Sequence, residues 1–357
     1  MSSDPLDFPA PRQFGRRGFI KGAAFVSAST LAAVPGVQAQ ITQAFPTVKN
    51  GPPVPQKTLG KTGLQVSALG LGGFHLALPR DPAESDRIVA TALDAGVNFF
   101  DNAWEYHKGE SEMRLGRALK GKRDQAIVMT KVCTHGRSKA VAMGMLEDSL
   151  RRLQTDHLDI WQIHEVVYFN DPDLIFEPGG AAEALLEAKQ QGKVRFIGFT
   201  GHKDPSIHLR MLAHDFPFDT VQMPLNCFDG TFRSFEQQVV PEAIRRGIAV
   251  LGMKSLGGSG EMVTSGAITP EEGLRYAMSL PASTTISGID SIAVLEQNLE
   301  IARNFKPMTE QEMTALRERC RSYAADGRFE RFKSTKFYDG DLGREQHGFP
   351  SGKEMPL

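Results

Sequence analysis

Four side chains that could together protonate a carbonyl oxygen occur in order between positions 101 and 164. They are Asp101, Tyr106, Lys131 and His164. Reducing a carbonyl requires a hydride on carbon and a proton on oxygen, and a phenol has an ordinary pKa of about 10. An ammonium beside the phenol favours the phenolate and lowers that pKa. The residue types therefore predict that Tyr106 transfers the proton and that Lys131 lowers its pKa.

The two remaining residues have supporting roles in this prediction. Asp101 would keep Lys131 charged and correctly aimed, and a neutral His164 would hydrogen-bond the substrate oxygen. No side chain donates a hydride, so the same chemistry requires a nicotinamide cofactor.

These residues come at the ends of short apolar segments that have the character of β-strands. Asp101 and Lys131 each follow one such segment directly, and His164 ends the next, while Tyr106 lies in a polar loop before an amphipathic helix. The predicted strands are 68–72, 97–100, 126–130, 158–163, 195–200, 220–223, 248–253 and 284–287. The predicted helices between and after them include 82–95, 140–153, 181–191, 235–246 and 292–305.

Strict alternation of strands and helices implies parallel strands joined by right-handed crossovers. Eight such units favour a closed α/β barrel, whose functional residues lie at the carboxyl ends of the strands. An open doubly wound sheet would favour a Gly-x-Gly-x-x-Gly turn after the first strand, and Gly70, Gly72 and Gly73 do not match it.

Two stretches of the chain carry a family resemblance. The run GVNFFDNAWEYHKGESEMRLGRALK (96–120) closely resembles the signature of the aldo-keto reductases, and 148–164 resembles a second one. The resemblance covers roughly 56–305. It implies a (β/α)₈ TIM barrel with an N-terminal hairpin at 57–67 plugging its lower end, and a catalytic tetrad formed by the four residues above.

The resemblance also implies a site for NADP(H) or NAD(H), with no metal. The implied cofactor contacts are Thr200, Gly201, His202, Gln222, Met253, Lys254, Leu256, Gly257, Gly258, Gly288, Asp290 and Asn298. Gly201, Met253 and Lys254 depart from the residues usual in the family. Family members that prefer NADP have a basic residue in or just after the segment corresponding to 286–291, where it contacts the 2′-phosphate. The first basic residue here is Arg303, so use of NAD(H), or of both cofactors, is expected.

The loops that follow the strands supply a mixed aromatic and polar substrate pocket. Its expected members are Phe74, His75, Trp104, His135, Glu165 and Tyr168. This composition favours a sugar-like or otherwise hydroxylated carbonyl over a steroid.

The N-terminus has the pattern of an export signal. Arg16-Arg17-Gly18-Phe19-Ile20-Lys21 resembles a twin-arginine (Tat) motif, and the apolar run at 22–33 is shorter than the roughly 20 residues that span a bilayer. Small residues allow cleavage after Ala39. We expect a periplasmic protein that meets the Tat translocon during export.

The chain divides into a signal peptide (1–39), a linker (40–56), the barrel (57–305), and a C-terminal helix plus tail (306–357). The helix should begin at a capping box formed by Thr309 and Glu312. The aromatic-containing tail could either fold over the barrel mouth as a lid or coat its side.

Composition limits the remaining possibilities. A net charge of −1 gives no basic field for nucleic acid or a membrane surface. The three cysteines have neither zinc-ligand nor iron–sulfur spacing, so neither group is expected. We expect a monomeric or weakly associating oxidoreductase that interconverts an aldehyde or ketone and its alcohol. The alternatives are a nicotinamide-binding, redox-reporting auxiliary subunit and an exported sugar or alcohol dehydrogenase working oxidatively.

Overall fold

The computed structural model describes residues 51–133 and 138–352. The ten strands of the described residues are β1 Gln56–Thr58, β2 Gln65–Ser67, β3 Leu69–Gly72, β4 Phe99–Asp101, β5 Ile127–Cys133, β6 Leu158–His164, β7 Val194–Thr200, β8 Thr220–Pro224, β9 Ala249–Met253 and β10 Thr284–Gly288. Eight of them run parallel and form a closed barrel in the order β10-β3-β4-β5-β6-β7-β8-β9, which confirms the predicted fold.

Helices surround the barrel and follow its last strand. They are α1 Gly73–Leu76, α2 Pro82–Asp94, α3 Glu110–Ala118, α4 Lys139–Leu153, α5 Asp171–Ile175, α6 Ala181–Gln190, α7 Pro205–Ala213, α8 Phe235–Gln238, α9 Val240–Arg245, α10 Glu261–Thr264, α11 Pro270–Ser279, α12 Ile292–Arg303, α13 Glu310–Ala324, α14 Arg331–Ser334 and α15 Asp341–Gln346. Within the described ranges, no helix is long and apolar enough to cross a membrane.

The N-terminal hairpin closes the lower end of the barrel, as predicted. Strands β1 and β2 pair antiparallel, and Leu59 and Val66 are buried in a cluster with Phe99, Met129 and other residues of the barrel interior. The backbone of Gly60 comes so close to β9 that a Cβ there would lie 2.9 Å from the backbone nitrogen of Ala249. The hairpin therefore fills the end of the barrel opposite the predicted site.

One helix prediction is wrong, and one helix start is confirmed. The single helix expected over 235–246 is two helices, α8 and α9, because Pro241 has no backbone N–H and its ring clashes with the carbonyl four residues earlier. Thr309 and Glu312 form the expected capping box at the start of α13. The side chain of each residue accepts a hydrogen bond from the backbone N–H of the other, which satisfies two donors at the helix N-terminus.

The predicted signal peptide, together with 40–50 of the predicted linker, lies outside the described residues. Chain order within the described part places the predicted functional residues on β4, β5 and β6 and on the loops that follow them. These three strands are neighbours in the barrel, so their carboxyl ends share one stretch of its rim.

Candidate active site

An ion pair between Lys131 and Asp101 lies at the centre of the barrel mouth. Lys131 Nζ donates to Asp101 Oδ1 and, at 2.6 Å, to the backbone oxygen of Asn102. Lys131 is 1% exposed and Asp101 is 5% exposed. Strand β5 continues two residues beyond Lys131, to Cys133, so this lysine projects from the strand itself rather than from the following loop. A rigid strand fixes the position of its ammonium group.

The phenol and the imidazole lie beside this pair. Lys131 Nζ is 5.0 Å from the centre of the Tyr106 ring, and the rings of Tyr106 and His164 meet edge to face with centroids 5.6 Å apart. The structure thus brings all four predicted catalytic residues close enough together to contact one small molecule. Their individual roles stay predictions.

An unusual backbone positions Tyr106. The residue begins a short turn in which His107, Lys108 and Gly109 all have positive φ, at 50°, 59° and 89°. Such angles are costly for residues other than glycine and are concentrated at functional sites. The turn places the His107 ring against Phe74, with His107 Nε2 2.9 Å from the Phe74 backbone oxygen. Phe74 also meets the Tyr106 ring edge to face, so the phenol is held on that side.

The pKa of Tyr106 differs from the sequence-based expectation. Burial raises this pKa well above 10, and the negative charges of Asp101, Glu105 and Glu165 raise it further. Burial and these carboxylates outweigh the lowering expected from Lys131. Tyr106 is therefore protonated at neutral pH, which is the form that a proton donor requires.

His164 is neutral, as the proposed chemistry requires. Burial lowers its pKa to about 3, and the nearby Lys131 ammonium contributes to the lowering. His208 is buried behind the site and donates from Nε2 to the backbone oxygen of Gln222. Burial lowers its pKa to about 4, and burial also lowers the pKa of His202.

These buried histidines predict a loss of stability on acidification. An unfolded histidine binds a proton below about pH 6.5, whereas folded His208 does so only near pH 4. The unfolded chain therefore binds more protons between these values, and the free energy of unfolding falls as pH falls from about 6.5 to 4. Urea unfolding across this range should show a shallower decline for His208→Gln than for the wild type. Identical slopes would contradict the assignment.

Thr200 and Gln222 form the part of the mouth expected to hold the nicotinamide carboxamide. They are partners on adjacent strands β7 and β8, and both are buried. Gln222 Nε2 donates to Asp101 Oδ2 at 3.2 Å, while its Oε1 has no hydrogen-bond partner among the described residues. A buried, unpaired amide oxygen is costly, and a carboxamide N–H could satisfy it. These residues fit the nicotinamide end of the cofactor.

Two neighbouring residues have packing roles that the sequence did not reveal. A Cβ on Gly201 would lie 2.4 Å from the backbone oxygen of Val166, so a larger residue has no room there. His202 donates from Nδ1 to the backbone oxygen of Phe332 at 3.0 Å, and its Nε2 is 3.8 Å from Glu165. His202 therefore holds the C-terminal tail instead of simply replacing the amide that is usual at position 201.

The C-terminal tail crosses the mouth, so the lid alternative describes its position better than the side-coat alternative. The backbone N–H of Gly340 donates to Glu165 Oε2 at 3.0 Å, and Lys203 pairs with Asp339 at 2.6 Å. Tyr338 OH donates to Glu261 at 2.9 Å and lies where a Cβ on Gly258 would be.

The expected pyrophosphate contacts lie beneath this tail. Lys254 Nζ is 5.5 Å from the centre of the Phe332 ring and 5.7 Å from that of Tyr338, and burial lowers its pKa. Gly257 has φ 94°, which suits a glycine in this turn. Leu256 is partly buried and packs against Gly273 and the hydrophobic core. Met253 ends β9 and stays partly exposed.

The residues expected to bind the adenosine half of the cofactor lie in different environments. Gly288 lies against the His75 ring, and Asp290 is exposed. Asn298 is buried and donates to Ser287 Oγ at 3.0 Å. Arg303 lies against Gly51, near the lower end of the barrel and far along α12 from β10. This arginine is therefore badly placed to meet a 2′-phosphate.

The expected substrate-pocket residues are divided among several environments. Phe74, His75 and Trp104 lie on the side of Tyr106, and Trp104 donates from Nε1 to Asp148 at 3.3 Å. Glu165, with φ 51°, contacts the tail, and the Tyr168 ring packs against His347 with centroids 4.2 Å apart. His135 lies outside the described residues.

Sequence reasoning missed two residues that border His164. Glu105 Oε1 lies 2.6 Å from His164 Nδ1, and Cys133 Sγ donates to Glu105 Oε2 at 2.7 Å. One available signal was the alternation of side chains along β5. Cys133 follows Lys131 by two positions and therefore projects to the same side of the strand. An acidic residue directly before Tyr106 was a second signal.

Comparisons with known proteins agree with the fold. The chain matches the model of the Aldo/keto reductase family over residues 68–272. It is 33% identical to L-galactose dehydrogenase of Arabidopsis thaliana over 211 residues, which cover 56% of this chain and 65% of that protein. Its alignments with the leading curated relatives span only 61% and 65% of their length.

Solved structures show the same barrel. An aldo-keto reductase from Bacillus halodurans in its holo form has a TM-score of 0.62 at 25% identity, and the match covers 74% of this chain and 96% of that one. An aldo/keto reductase from Klebsiella pneumoniae in complex with NADP and acetate has a TM-score of 0.59 at 22% identity, covering 76% and 96%.

Proposed function

The chain belongs to the aldo/keto reductase family, and from this premise we propose that it is an NAD(P)(H)-dependent oxidoreductase that interconverts an aldehyde or ketone and its alcohol. The observation that carries the proposal is the convergence of Asp101, Tyr106, Lys131 and His164 at the barrel mouth. A panel of aldehydes and ketones assayed for oxidation of NADH and NADPH tests it. Failure of the folded protein to oxidise either cofactor with any of them would refute the proposal.

We propose a distinct part of the reaction for each side chain. When bound, the cofactor supplies or accepts the hydride. Tyr106 is protonated and gives its proton to the carbonyl oxygen. The Lys131 ammonium, 5.0 Å from the phenol ring and held by Asp101, stabilises the phenolate that remains. His164, neutral because of burial, can donate a hydrogen bond to the same oxygen.

Protonation of Tyr106 favours the reductive direction at neutral pH. Oxidation of an alcohol would need the phenolate as a base, and burial with three nearby carboxylates disfavours that form. We therefore propose reduction as the principal reaction, ahead of the oxidative alternative. An auxiliary, redox-reporting subunit would bind the cofactor but turn over poorly, so the same panel of aldehydes and ketones tests that alternative.

The residues at the nicotinamide end of the proposed cofactor site suit a nicotinamide dinucleotide. Thr200 and Gln222 would hold the carboxamide, with the unpaired Gln222 Oε1 available as an acceptor. Lys254 and Gly258 would face the pyrophosphate, but both contact the tail, so a bound cofactor would share this region with Phe332 and Tyr338. The NADP bound by the Klebsiella pneumoniae reductase supports a dinucleotide of this type.

Asp290 predicts a preference for NADH over NADPH. Its exposed carboxylate follows β10, the position at which NADP-preferring family members contact the 2′-phosphate with a basic residue. Arg303 is too far away to offset the negative charge of Asp290. Two like charges about 4 Å apart in water repel by about 1 kcal/mol, which corresponds to a factor of about five. Asp290→Asn should raise kcat/KM for NADPH relative to NADH by about that factor.

The control for this selectivity is Asp94→Asn, which removes an exposed carboxylate at the end of α2. Steady-state kinetics with both cofactors should give an unchanged ratio for this control. A wild-type preference for NADPH, or an unchanged ratio in Asp290→Asn, would contradict the assigned role of Asp290.

The substrate that we propose is a hydroxylated carbonyl compound. Polar groups surround the mouth, including the Glu105 and Glu165 carboxylates and the His75 and His107 rings. The related plant protein is named for a sugar substrate. A hydroxyaldehyde should therefore give a higher kcat/KM than the unsubstituted aldehyde of equal carbon number.

We also propose that the chain is exported through the twin-arginine route. Support comes from the Arg16-Arg17 motif and the short apolar run after it. Replacing both arginines by lysine should retain the full-length protein in the cytoplasm of a host with a Tat system. Unchanged periplasmic recovery of the double variant would rule out this route.

A further inference from the structure

Three side chains of types that bind metal ions meet at the edge of the proposed active site. They are Glu105, Cys133 and His164, and their ligand atoms all lie within 4.8 Å of one another. Glu105 contacts both of the others, through Oε2 to Cys133 Sγ at 2.7 Å and through Oε1 to His164 Nδ1 at 2.6 Å. The proton-transfer chemistry derived above requires neither Glu105 nor Cys133. The cluster therefore needs an explanation of its own.

Two of the three groups are fixed by strand pairing. Cys133 on β5 and His164 on β6 are directly opposite each other in the parallel ladder, so their side chains project to the same side. Neighbouring strands lie only about 4.8 Å apart. A thiol and an imidazole presented in this way form a preorganised pair, because their separation is set by the barrel and not by flexible loops.

The third group comes from a well-anchored turn. The backbone N–H of Trp104 donates to the backbone oxygen of Lys131 at 3.1 Å, and that of Tyr106 donates to the backbone oxygen of Ala103 at 3.1 Å. Arg152 donates to the backbone oxygen of Trp104 at 2.8 Å. These bonds hold the backbone on both sides of Glu105 and direct its carboxylate to the strand pair.

One polar atom of the cluster is left unsatisfied. His164 Nδ1 is buried and has no hydrogen-bond partner among the described residues, although Glu105 Oε1 lies 2.6 Å from it. A buried polar atom left unpaired is costly. A neutral imidazole nitrogen and a carboxylate oxygen facing one point are two of the usual ligands of zinc.

The ligand types indicate which metal would bind. The carboxylates of Asp101, Glu105 and Glu165 and the ammonium groups of Lys131 and Lys254 all act electrostatically on this region. A thiolate from Cys133 would add a further negative charge and would select a soft or borderline metal over Mg²⁺ or Ca²⁺. Burial disfavours that thiolate in the absence of a cation, and a coordinated metal reverses this by its own charge.

We propose that Glu105, Cys133 and His164 form a binding site for Zn²⁺ or a similar divalent transition-metal ion, with a fourth position open toward the mouth. Zinc bonds of about 2.0–2.3 Å require ligand atoms to stand somewhat farther apart than the present 2.6–2.7 Å contacts. Glu105, the one ligand that lies outside a strand, would move back to make room. Binding would displace the Cys133 proton.

If zinc binds at this site, it should inhibit carbonyl reduction. This consequence rests on the proposed function. A metal on His164 fixes the imidazole and adds positive charge beside Tyr106, so the ring can no longer serve the substrate oxygen freely. Metal binding itself does not depend on that function. A failure of the reductase assay would therefore leave the binding measurement able to decide the proposal.

The direct test uses the tag-free, full-length protein after treatment with a chelator. Titration with Zn²⁺ against a chromophoric competitor should give one tight site per chain, and Cys133→Ser and Glu105→Gln should each weaken it by at least tenfold. Co²⁺ in the same site should show a thiolate-to-cobalt charge-transfer band that is absent from Cys133→Ser. Fractional inhibition by zinc, measured against each protein's own activity, should decrease in both variants.

Cys320→Ser is the matched control, because Cys320 is a buried thiol on α13 beside the backbone oxygen of Ala267. It should keep both the zinc affinity and the cobalt band of the wild type. Equal zinc affinity in the wild type and both site variants would overturn the proposal. A cobalt band that persists in Cys133→Ser and vanishes in Cys320→Ser would overturn it as well.

Discussion

Replacing Tyr106 by phenylalanine is expected to lower kcat for carbonyl reduction by about 10²–10⁴, the usual contribution of a positioned general acid. The variant removes one oxygen atom and keeps the ring that meets Phe74 and His164 edge to face. Packing should therefore survive, and the loss should appear in the chemical step. Pre-steady-state measurement of the first turnover would separate that step from cofactor release.

Two measurements decide whether this loss reports catalysis. The dissociation constants of NADH and NADPH should change little, because Tyr106 is not among the expected cofactor contacts. Tyr323→Phe removes a hydroxyl from α13, where the ring packs against Phe228 and Phe329, and should leave kcat unaltered. Normal turnover by Tyr106→Phe would end the assignment of this phenol as proton donor.

The second large effect concerns a buried charge cluster that fastens the tail. Lys333 is fully buried and lies 2.6 Å from Asp229 Oδ1 and 2.9 Å from Glu330 Oε1. It also donates to the backbone oxygen of Phe232 at 2.8 Å. Lys333→Met should lower the free energy of unfolding by about 3–5 kcal/mol, because removing the cation leaves two buried carboxylates uncompensated.

Urea unfolding measures this effect, and two further variants sharpen it. Lys336→Met, in the same tail but exposed, should cost less than about 1 kcal/mol. Adding Glu330→Gln to Lys333→Met should restore part of the lost stability, because one unpaired buried charge is removed. A loss in Lys333→Met no larger than that in Lys336→Met would show that the buried cluster does not fasten the tail.

The same cluster links stability to the proposed site. Asp229 also accepts from the backbone N–H groups of Phe235 and Glu236, so it fixes the start of α8 as well as the tail. Phe332, next to Lys333, lies over Lys254 and accepts from His202. Loosening the tail should therefore disturb the expected pyrophosphate region before it disturbs Tyr106.

The sequence by itself determined the barrel and the four-residue site. Regular alternation of apolar strands and amphipathic helices is a local pattern, and parallel strands place their carboxyl ends on one rim. Asp101, Lys131 and His164 could therefore be placed together from their positions at strand ends. The interruption at Pro241 was overlooked, although it too follows from a local property, the missing N–H of proline.

The tertiary structure alone decided the position of the tail, the pKa of Tyr106 and the metal-binding cluster. Tail contacts such as Gly340 with Glu165 and Lys333 with Asp229 join residues 175 and 104 positions apart, and no periodic pattern records them. The pKa of Tyr106 depends on how many carboxylates the fold assembles around it, and at what depth. Spacing along the chain could place Cys133 on the same side of β5 as Lys131, but Glu105, Cys133 and His164 meet only because strand register and one anchored turn bring them together.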